Sequence, residues 1–294
     1  MFKSKFAIDP SLLHKDSVYT LNNGVKMPVI GFGTWQAKDG EEAYESVKAA
    51  LRVGYRHIDT AEAYHNEESV GRAIRDSGIP REEIFVTTKL TNTHLTYEDA
   101  KQAIDASLKR LGLDYVDQYL IHWPNPIDAR TFYKKRNAEV YRAMEEAYFA
   151  GKIRSIGVSN FHPHHLKALL KTIKVKPATN QIYVSPSDTQ PKVVAFNEKH
   201  NILTVAYSPL GTGRLLGLNE LNQVGTKYNK RPAQVAIRWS LEHGYLPLPK
   251  STNASRISEN FDVFDFKLSK EDIKLINSLK GKAGKAPDPD HVIW

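Results

Sequence analysis

The chain is predicted to fold as a closed (β/α)8 barrel of the TIM type, preceded by a β-hairpin and followed by an extra helix. Three observations lead there. Eight short apolar or β-branched runs alternate with helix-patterned segments. All eight units fit within 294 residues, with no linker or low-complexity stretch between them. No strand runs into Gly-x-Gly-x-x-Gly, because Gly31-Phe-Gly33 and Gly211-Thr-Gly213 both lack the third glycine, so a Rossmann site is not indicated. Strict alternation implies parallel strands joined by right-handed crossovers, and eight such units in a chain of this length close on themselves.

Residues 1–16 read as an N-terminal extension of one domain that spans 1–294. The hairpin comes from Tyr19-Thr-Leu-Asn-Asn-Gly24-Val-Lys, where an Asn-Asn-Gly turn separates two short apolar runs. Strands are expected at Val29–Trp35, Tyr55–Thr60, Ile84–Lys89, Val116–His122, Ser155–Ser159, Ala178–Ile182, Thr204–Ser208 and Leu246–Lys250. Helices are expected at Glu41–Val53, Glu67–Ser77, Tyr97–Leu111, Ala138–Ala150, Pro163–Lys171, Pro191–His200, Pro232–His243 and Ser255–Phe261, with Ser269–Leu279 as the terminal one. Ala43, Val47, Ala50 and Leu51 line one face of the first, and proline opens three of the others. Pro209–Arg231 reads as a long loop insertion, and 281–294 as a tail that folds over the barrel mouth.

Absence of cysteine excludes disulfides and thiolate chemistry. The first ten residues hold no apolar run of signal-peptide or membrane-span length, so a cytoplasmic protein without a membrane partner is expected. Net charge is +8, but Lys and Arg are interleaved with Asp and Glu, which fits an anionic cofactor better than a nucleic acid. A monomer is expected.

Barrels of this kind carry chemistry at the carboxyl ends of their strands. Trp35, Asp59, Thr60, Lys89, His122, Trp123, Ser159, Asn160, Gln181, Tyr207, Ser208, Lys250 and Ser251 stand there. Strand alternation puts His57 with Asp59, Thr87 with Lys89 and Leu120 with His122 on one face, so a carboxylate, an ammonium and an imidazole converge inside the top. Tyr64 lies one short loop past Asp59. That set suits carbonyl reduction, in which hydride delivery creates an alkoxide that must be protonated. Tyr64 is the natural donor. Lys89 would stabilise its phenolate, Asp59 would hold Lys89, and a neutral His122 would position the substrate oxygen.

At these residues the sequence resembles the aldo-keto reductase family, and its compact diketogluconate- and methylglyoxal-reducing microbial members in particular. Gly54-Tyr-Arg-His-Ile-Asp59-Thr-Ala-Glu-Ala-Tyr64-His-Asn-Glu67-Glu-Ser-Val-Gly71, Arg154-Ser-Ile-Gly-Val-Ser159-Asn160-Phe161 and Leu248-Pro-Lys250-Ser251-Thr-Asn-Ala-Ser-Arg256-Ile-Ser-Glu259-Asn260 are similar to its three signatures. The resemblance implies that Asp59, Tyr64, Lys89 and His122 form the catalytic tetrad. It implies that Ser159, Asn160, Gln181 and Tyr207 hold the nicotinamide of NADPH, and that Ser208, Leu210 and Thr212 cover its pyrophosphate. It further assigns the adenosine 2′-phosphate to Lys250, Ser251, Thr252 and Arg256, and the adenine to Glu259 and Asn260. Trp35, Trp123 and Trp294 would wall an apolar cleft for small carbonyl substrates. A nicotinamide-sensing binding subunit is the alternative on the same pocket, and a sugar-phosphate isomerase on the same barrel is another. His162-Pro-His164-His165 invites a metal reading, but no acidic partner is near in sequence, so surface histidines are expected.

Overall fold

A computed structural model describes residues 4–294. In the hairpin, β1 (Val18–Thr20) and β2 (Lys26–Pro28) pair antiparallel with Tyr19 opposite Met27. Asn22 donates its amide to the carbonyls of Pro177 at 2.8 Å and Asn201 at 3.1 Å, and Asn23 to that of Arg154 at 3.0 Å. Each acceptor lies just before a barrel strand, so the hairpin covers the amino-terminal end of the barrel. Within the expected N-terminal extension, residues 1–3 lie outside the described residues. The remainder docks on the protein, with Ser4 bonded to Glu198 and the Pro10 carbonyl 2.9 Å from the Arg238 guanidinium.

Eight parallel strands follow: β3 (Phe32–Gly33), β4 (His57–Asp59), β5 (Phe85–Leu90), β6 (Gln118–Ile121), β7 (Ile156–Ser159), β8 (Thr179–Tyr183), β9 (Leu203–Tyr207) and β10 (Leu246–Leu248). Gly31 N–H donates to Pro247 O at 3.1 Å and Gly33 N–H to Pro249 O at 3.0 Å, which joins the first strand to the last and closes the barrel. Around it run α1 (Glu41–Val53), α2 (Glu67–Arg75), α3 (Tyr97–Leu111), α4 (Tyr133–Phe149), α5 (Pro163–Leu169), α6 (Pro191–Lys199), α7 (Asn219–Tyr228), α8 (Pro232–Glu242) and α9 (Ala254–Phe261), with α10 (Lys270–Asn277) at the end. The predicted fold class is the observed one. Among the described residues, no helix is long and apolar enough to cross a membrane.

Side-chain alternation is as expected. His57 Nε2 lies 3.0 Å from Thr87 Oγ1 inside the barrel, while Thr88 faces outward to Glu67 of α2 at 2.5 Å. Glycine makes room for the interior layer, since a Cβ on Gly31 would come within 2.4 Å of the His57 ring. Five strands (β3, β4, β6, β9 and β10) end sooner than the apolar runs suggested, which leaves Trp35, Thr60, His122, Ser208 and Lys250 in the loops just beyond them.

Two elements differ from expectation. α4 begins at Tyr133 instead of Ala138, because Arg136 and Asn137 in its first turns are buried and bonded to loop carbonyls. Arg136 donates to His94 O and Trp123 O, both at 3.1 Å, and Asn137 to Pro124 O at 2.9 Å. A polar Lys-Lys-Arg-Asn stretch hid that role. The second is Pro209–Arg231, which carries a 3-10 segment at Gly211–Gly217 and then α7. Leu215, Leu221 and Val224 bury its inner face against Val235 and Trp239 of α8, so the insertion is largely helical rather than loop.

The tail crosses the carboxyl-terminal side. Asp290 accepts from the Asn125 amide at 2.8 Å, Arg130 donates to Val292 O, and Trp294 packs edge-on against Trp123 with ring centroids 5.6 Å apart.

Candidate active site

β4 and β5 set the centre of the site. Thr34 fastens the end of β4 through its amide and hydroxyl, both 3.0 Å from Asp59 O, and β4 pairs with β5 so that Asp59 stands opposite Thr87. Lys89, two residues further along β5, then places its ammonium 2.5 Å from Asp59 Oδ1, 2.7 Å from Thr60 O and 3.2 Å from the Tyr64 hydroxyl. Gln181 of β8 donates to the other Asp59 oxygen at 2.6 Å. Tyr64 ends a short 3-10 turn, Glu62–Tyr64, and His65 after it adopts a left-handed φ of 54° that turns the chain back toward α2. His122 lies just past β6, its ring edge-on to Tyr64 at 5.7 Å between centroids. Asp59 and Lys89 are buried, whereas Tyr64 and His122 are partly exposed at the mouth. The four residues expected to act together are therefore gathered into one cluster, with the tunable pair below and the pair able to meet a substrate above.

Electrostatics follow that layering. Burial works against the Lys89 ammonium, but the Asp59 carboxylate and the Tyr64 hydroxyl more than offset it and hold Lys89 above the usual lysine range. Burial also raises the Tyr64 phenol above its ordinary value, with Lys89 pulling it down and Asp59 pushing it up. The sequence reading expected Lys89 to activate the phenol; the lysine does act in that direction, but desolvation outweighs it. Tyr64 consequently keeps its proton at neutral pH. Burial, helped by the Lys89 charge, lowers His122 to about 3, so the imidazole is neutral.

A second group of expected residues meets on the β7–β9 side. Ser159 Oγ donates to Gln181 O at 2.8 Å, Asn160 donates to His122 O at 3.0 Å, and Tyr207 OH donates to Asn160 Oδ1 at 2.8 Å. Asn160 holds φ 61°, a left-handed conformation that asparagine tolerates, which aims its amide back at the mouth. Gln181 thus joins this amide-rich wall to Asp59. Left-handed φ values at Ser208 (49°) and Thr212 (54°) curl the chain on either side of Leu210 after β9. Lys250 and Ser251 are half-buried and Thr252 and Arg256 exposed around the start of α9, where Asn253 caps Arg256 N–H at 3.1 Å. Glu259 and the buried Asn260 lie further along the same helix.

The aldo/keto reductase family profile matches residues 29–280, which takes in every element from the first barrel strand to α10. The chain belongs to the aldo/keto reductase family. As a member it is an NADP-dependent oxidoreductase acting on carbonyl groups. It is 46% identical over 275 residues to a 9,11-endoperoxide prostaglandin H2 reductase of Trypanosoma cruzi, covering 92% of this chain and 94% of that one. It is likewise 46% identical over 280 residues to a glyoxal reductase of Bacillus subtilis, covering 95% and 98%. Among solved structures, a Bombyx mori aldo-keto reductase in complex with NADP superimposes with a TM-score of 0.82 at 36% identity, covering 92% of this chain and 94% of that one.

Of the three expected tryptophans, Trp123 is buried and packs edge-on against Trp294, which is 54% exposed, and Trp35 is 49% exposed next to Thr34. Several residues that hold the site were not anticipated. Asn66 accepts from the Thr60 hydroxyl at 2.7 Å and donates to Thr34 O and Ala37 O, both at 3.0 Å, tying the loops after β3 and β4 together. Its signal was its place inside the Tyr64-His-Asn-Glu67 motif. His162, His164 and His165 are not simply surface histidines: His165 is buried, and the tail brings Asp290 to within 2.8 Å of its Nε2 and 2.9 Å of His164 Nε2. That carboxylate is more than a hundred residues away in sequence, out of reach of local spacing.

Proposed function

We propose that this protein reduces the carbonyl group of small aldehydes and ketones with NADPH, with Tyr64 as the proton donor. The observation that carries the reading is Tyr64 OH 3.2 Å from an ammonium that Asp59 and Thr60 O clamp at 2.5 and 2.7 Å. When bound, NADPH would supply the hydride for the carbonyl carbon. His122, neutral and facing Tyr64, donates to the substrate oxygen and sets it beside the phenol. As the carbon–oxygen double bond becomes single, the Tyr64 proton passes to that oxygen and leaves a phenolate, which the Lys89 charge stabilises. Asp59 keeps Lys89 in place and charged.

The residues present fit the cofactor. Ser159, Asn160 and Gln181 offer amide and hydroxyl partners for a carboxamide, and Tyr207 offers an aromatic face beside them. Ser208, Leu210 and Thr212, in the turn after β9, would cover the cofactor's pyrophosphate. Lys250, Ser251, Thr252 and Arg256 present two cations and two hydroxyls at a helix start, the donor set a 2′-phosphate needs, with Glu259 and Asn260 left for the adenine. Trp123 and Trp294, packed edge-on, would bound the carbonyl cleft together with Trp35. The name of the Bacillus subtilis relative supports small dicarbonyls as one substrate class. We assign the same single domain, 1–294, to a monomeric, cytoplasmic enzyme whose partners are cofactor and small molecule, neither nucleic acid nor membrane.

Loss of nicotinamide absorbance on mixing the protein, NADPH and a panel of glyoxal, methylglyoxal, aromatic aldehydes, keto sugars and steroids tests the reading. Turnover of the small members is the expected result. Cofactor binding without turnover of any would favour a sensing subunit instead.

A further inference from the structure

His162 at the N-cap of α5, His164 within its first turn, and Asp290 in the tail each present one ligand atom, and the three atoms lie within 4.8 Å of one another. Their surroundings are arranged for this. Asp290 Oδ1 is already taken by the Asn125 amide and His165 Nε2, both at 2.8 Å, which leaves Oδ2 turned to His164 Nε2 at 2.9 Å. His165 is itself fixed: its Nδ1 accepts the His162 N–H at 3.0 Å, and Tyr133 and Phe161 pack edge-on against its ring. Two imidazoles and a carboxylate on an open face, with an orienting histidine and amide behind the carboxylate, is the donor set of a three-ligand site that keeps a position for water.

We propose that His162, His164 and Asp290 bind a divalent transition-metal ion of the zinc class, which clips the C-terminal tail to α5. Bond lengths of about 2.0–2.1 Å to nitrogen and oxygen require the three atoms to draw together, and His164 is exposed and His162 and Asp290 only partly buried, so their side chains have room to do so. The bonds formed are Nε2 or Nδ1 of each imidazole and Oδ2 of the carboxylate to the ion; no proton or electron transfer beyond loss of any imidazolium proton is needed. Asp290 precedes Trp294 by four residues, and Trp294 rests on Trp123, so the ion would fasten the chain segment that stands at the mouth.

The test uses tag-free, chelator-treated full-length protein and zinc chloride, without cofactor or carbonyl, so its outcome is independent of the reductase reading. Calorimetry should return one equivalent of zinc, and trypsin cleavage at Lys285 should slow at least several-fold when zinc is present. His164→Ala and Asp290→Asn, both at positions with solvent exposure, should abolish binding and protection alike while leaving the circular dichroism unchanged. Absence of stoichiometric binding, or binding that survives both substitutions, would overturn the site; binding without protection of the tail would overturn the clip.

Discussion

Asp59 and Lys89 are held 2.5 Å apart in the barrel interior, with Gln181 and Thr60 O completing their bonds, whereas Thr252 and Arg256 stand exposed around the start of α9. One region is assembled before any ligand arrives, and the other is proposed to gain its partners only with the cofactor. The contrast follows from what each is proposed to do. A proton donor has to meet a charge that exists only in the transition state, so its supports must already be in place. A phosphate brings its own charge, and exposed cations can close on it without a standing desolvation cost.

Breaking the preassembled side should have the largest effect. Lys89→Met should cut kcat by roughly 10²–10⁴-fold, the span of general acid catalysis. It should also destabilise the fold by about 3–5 kcal/mol, because Asp59 is left buried and unpaired. Urea unfolding of Lys89→Met beside Asp59→Asn/Lys89→Met separates the two effects: the double variant should regain most of the stability and none of the activity. On the exposed side, Arg256→Glu should raise KM for NADPH by about 10–100-fold, the worth of one charge-assisted hydrogen bond, and change KM for NADH little. Equal changes for both cofactors would remove the 2′-phosphate assignment. A smaller effect is expected from Trp294→Ala, which should raise KM for carbonyls by roughly 2–10-fold with kcat nearly unchanged, since it deletes one edge-to-face pair.

The interior below the site makes a prediction for stability. Burial, and next the Lys89 charge, lower His57 from 6.5 to about 3, so the unfolded chain binds the proton that the folded one refuses. Stability from this group is complete above about pH 6.5 and is lost as pH falls, by roughly 1.4 kcal/mol per pH unit until the folded value is reached. His57→Gln should flatten the pH dependence of urea unfolding between pH 6.5 and 5; an unchanged slope would contradict the assignment.

The barrel was legible because its units repeat a local pattern, and the quartet because strand alternation and strand ends fix where Asp59, Lys89 and His122 point. Tyr64 needed its motif, since a tyrosine in a short loop has no periodicity to place it. Where burial depends on distant partners, local reading failed. Arg136 looked like loop charge until the Trp123 and His94 carbonyls came to it, and His165 looked like surface until the tail delivered Asp290. Lys89 does pull the Tyr64 phenol down, as its position beside Tyr64 implied, but the opposing effect of burial belongs to the packed site and could not be read from the list of neighbours.

The central claim is that Tyr64 gives up the proton, and Tyr64→Phe tests it most directly because the ring stays against Lys89 and His122 while only the hydroxyl goes. Single-turnover oxidation of bound NADPH by a small aldehyde should slow by at least about 10²-fold, with the NADPH dissociation constant unchanged. Turnover near that of the unaltered protein on every accepted carbonyl would contradict the assignment.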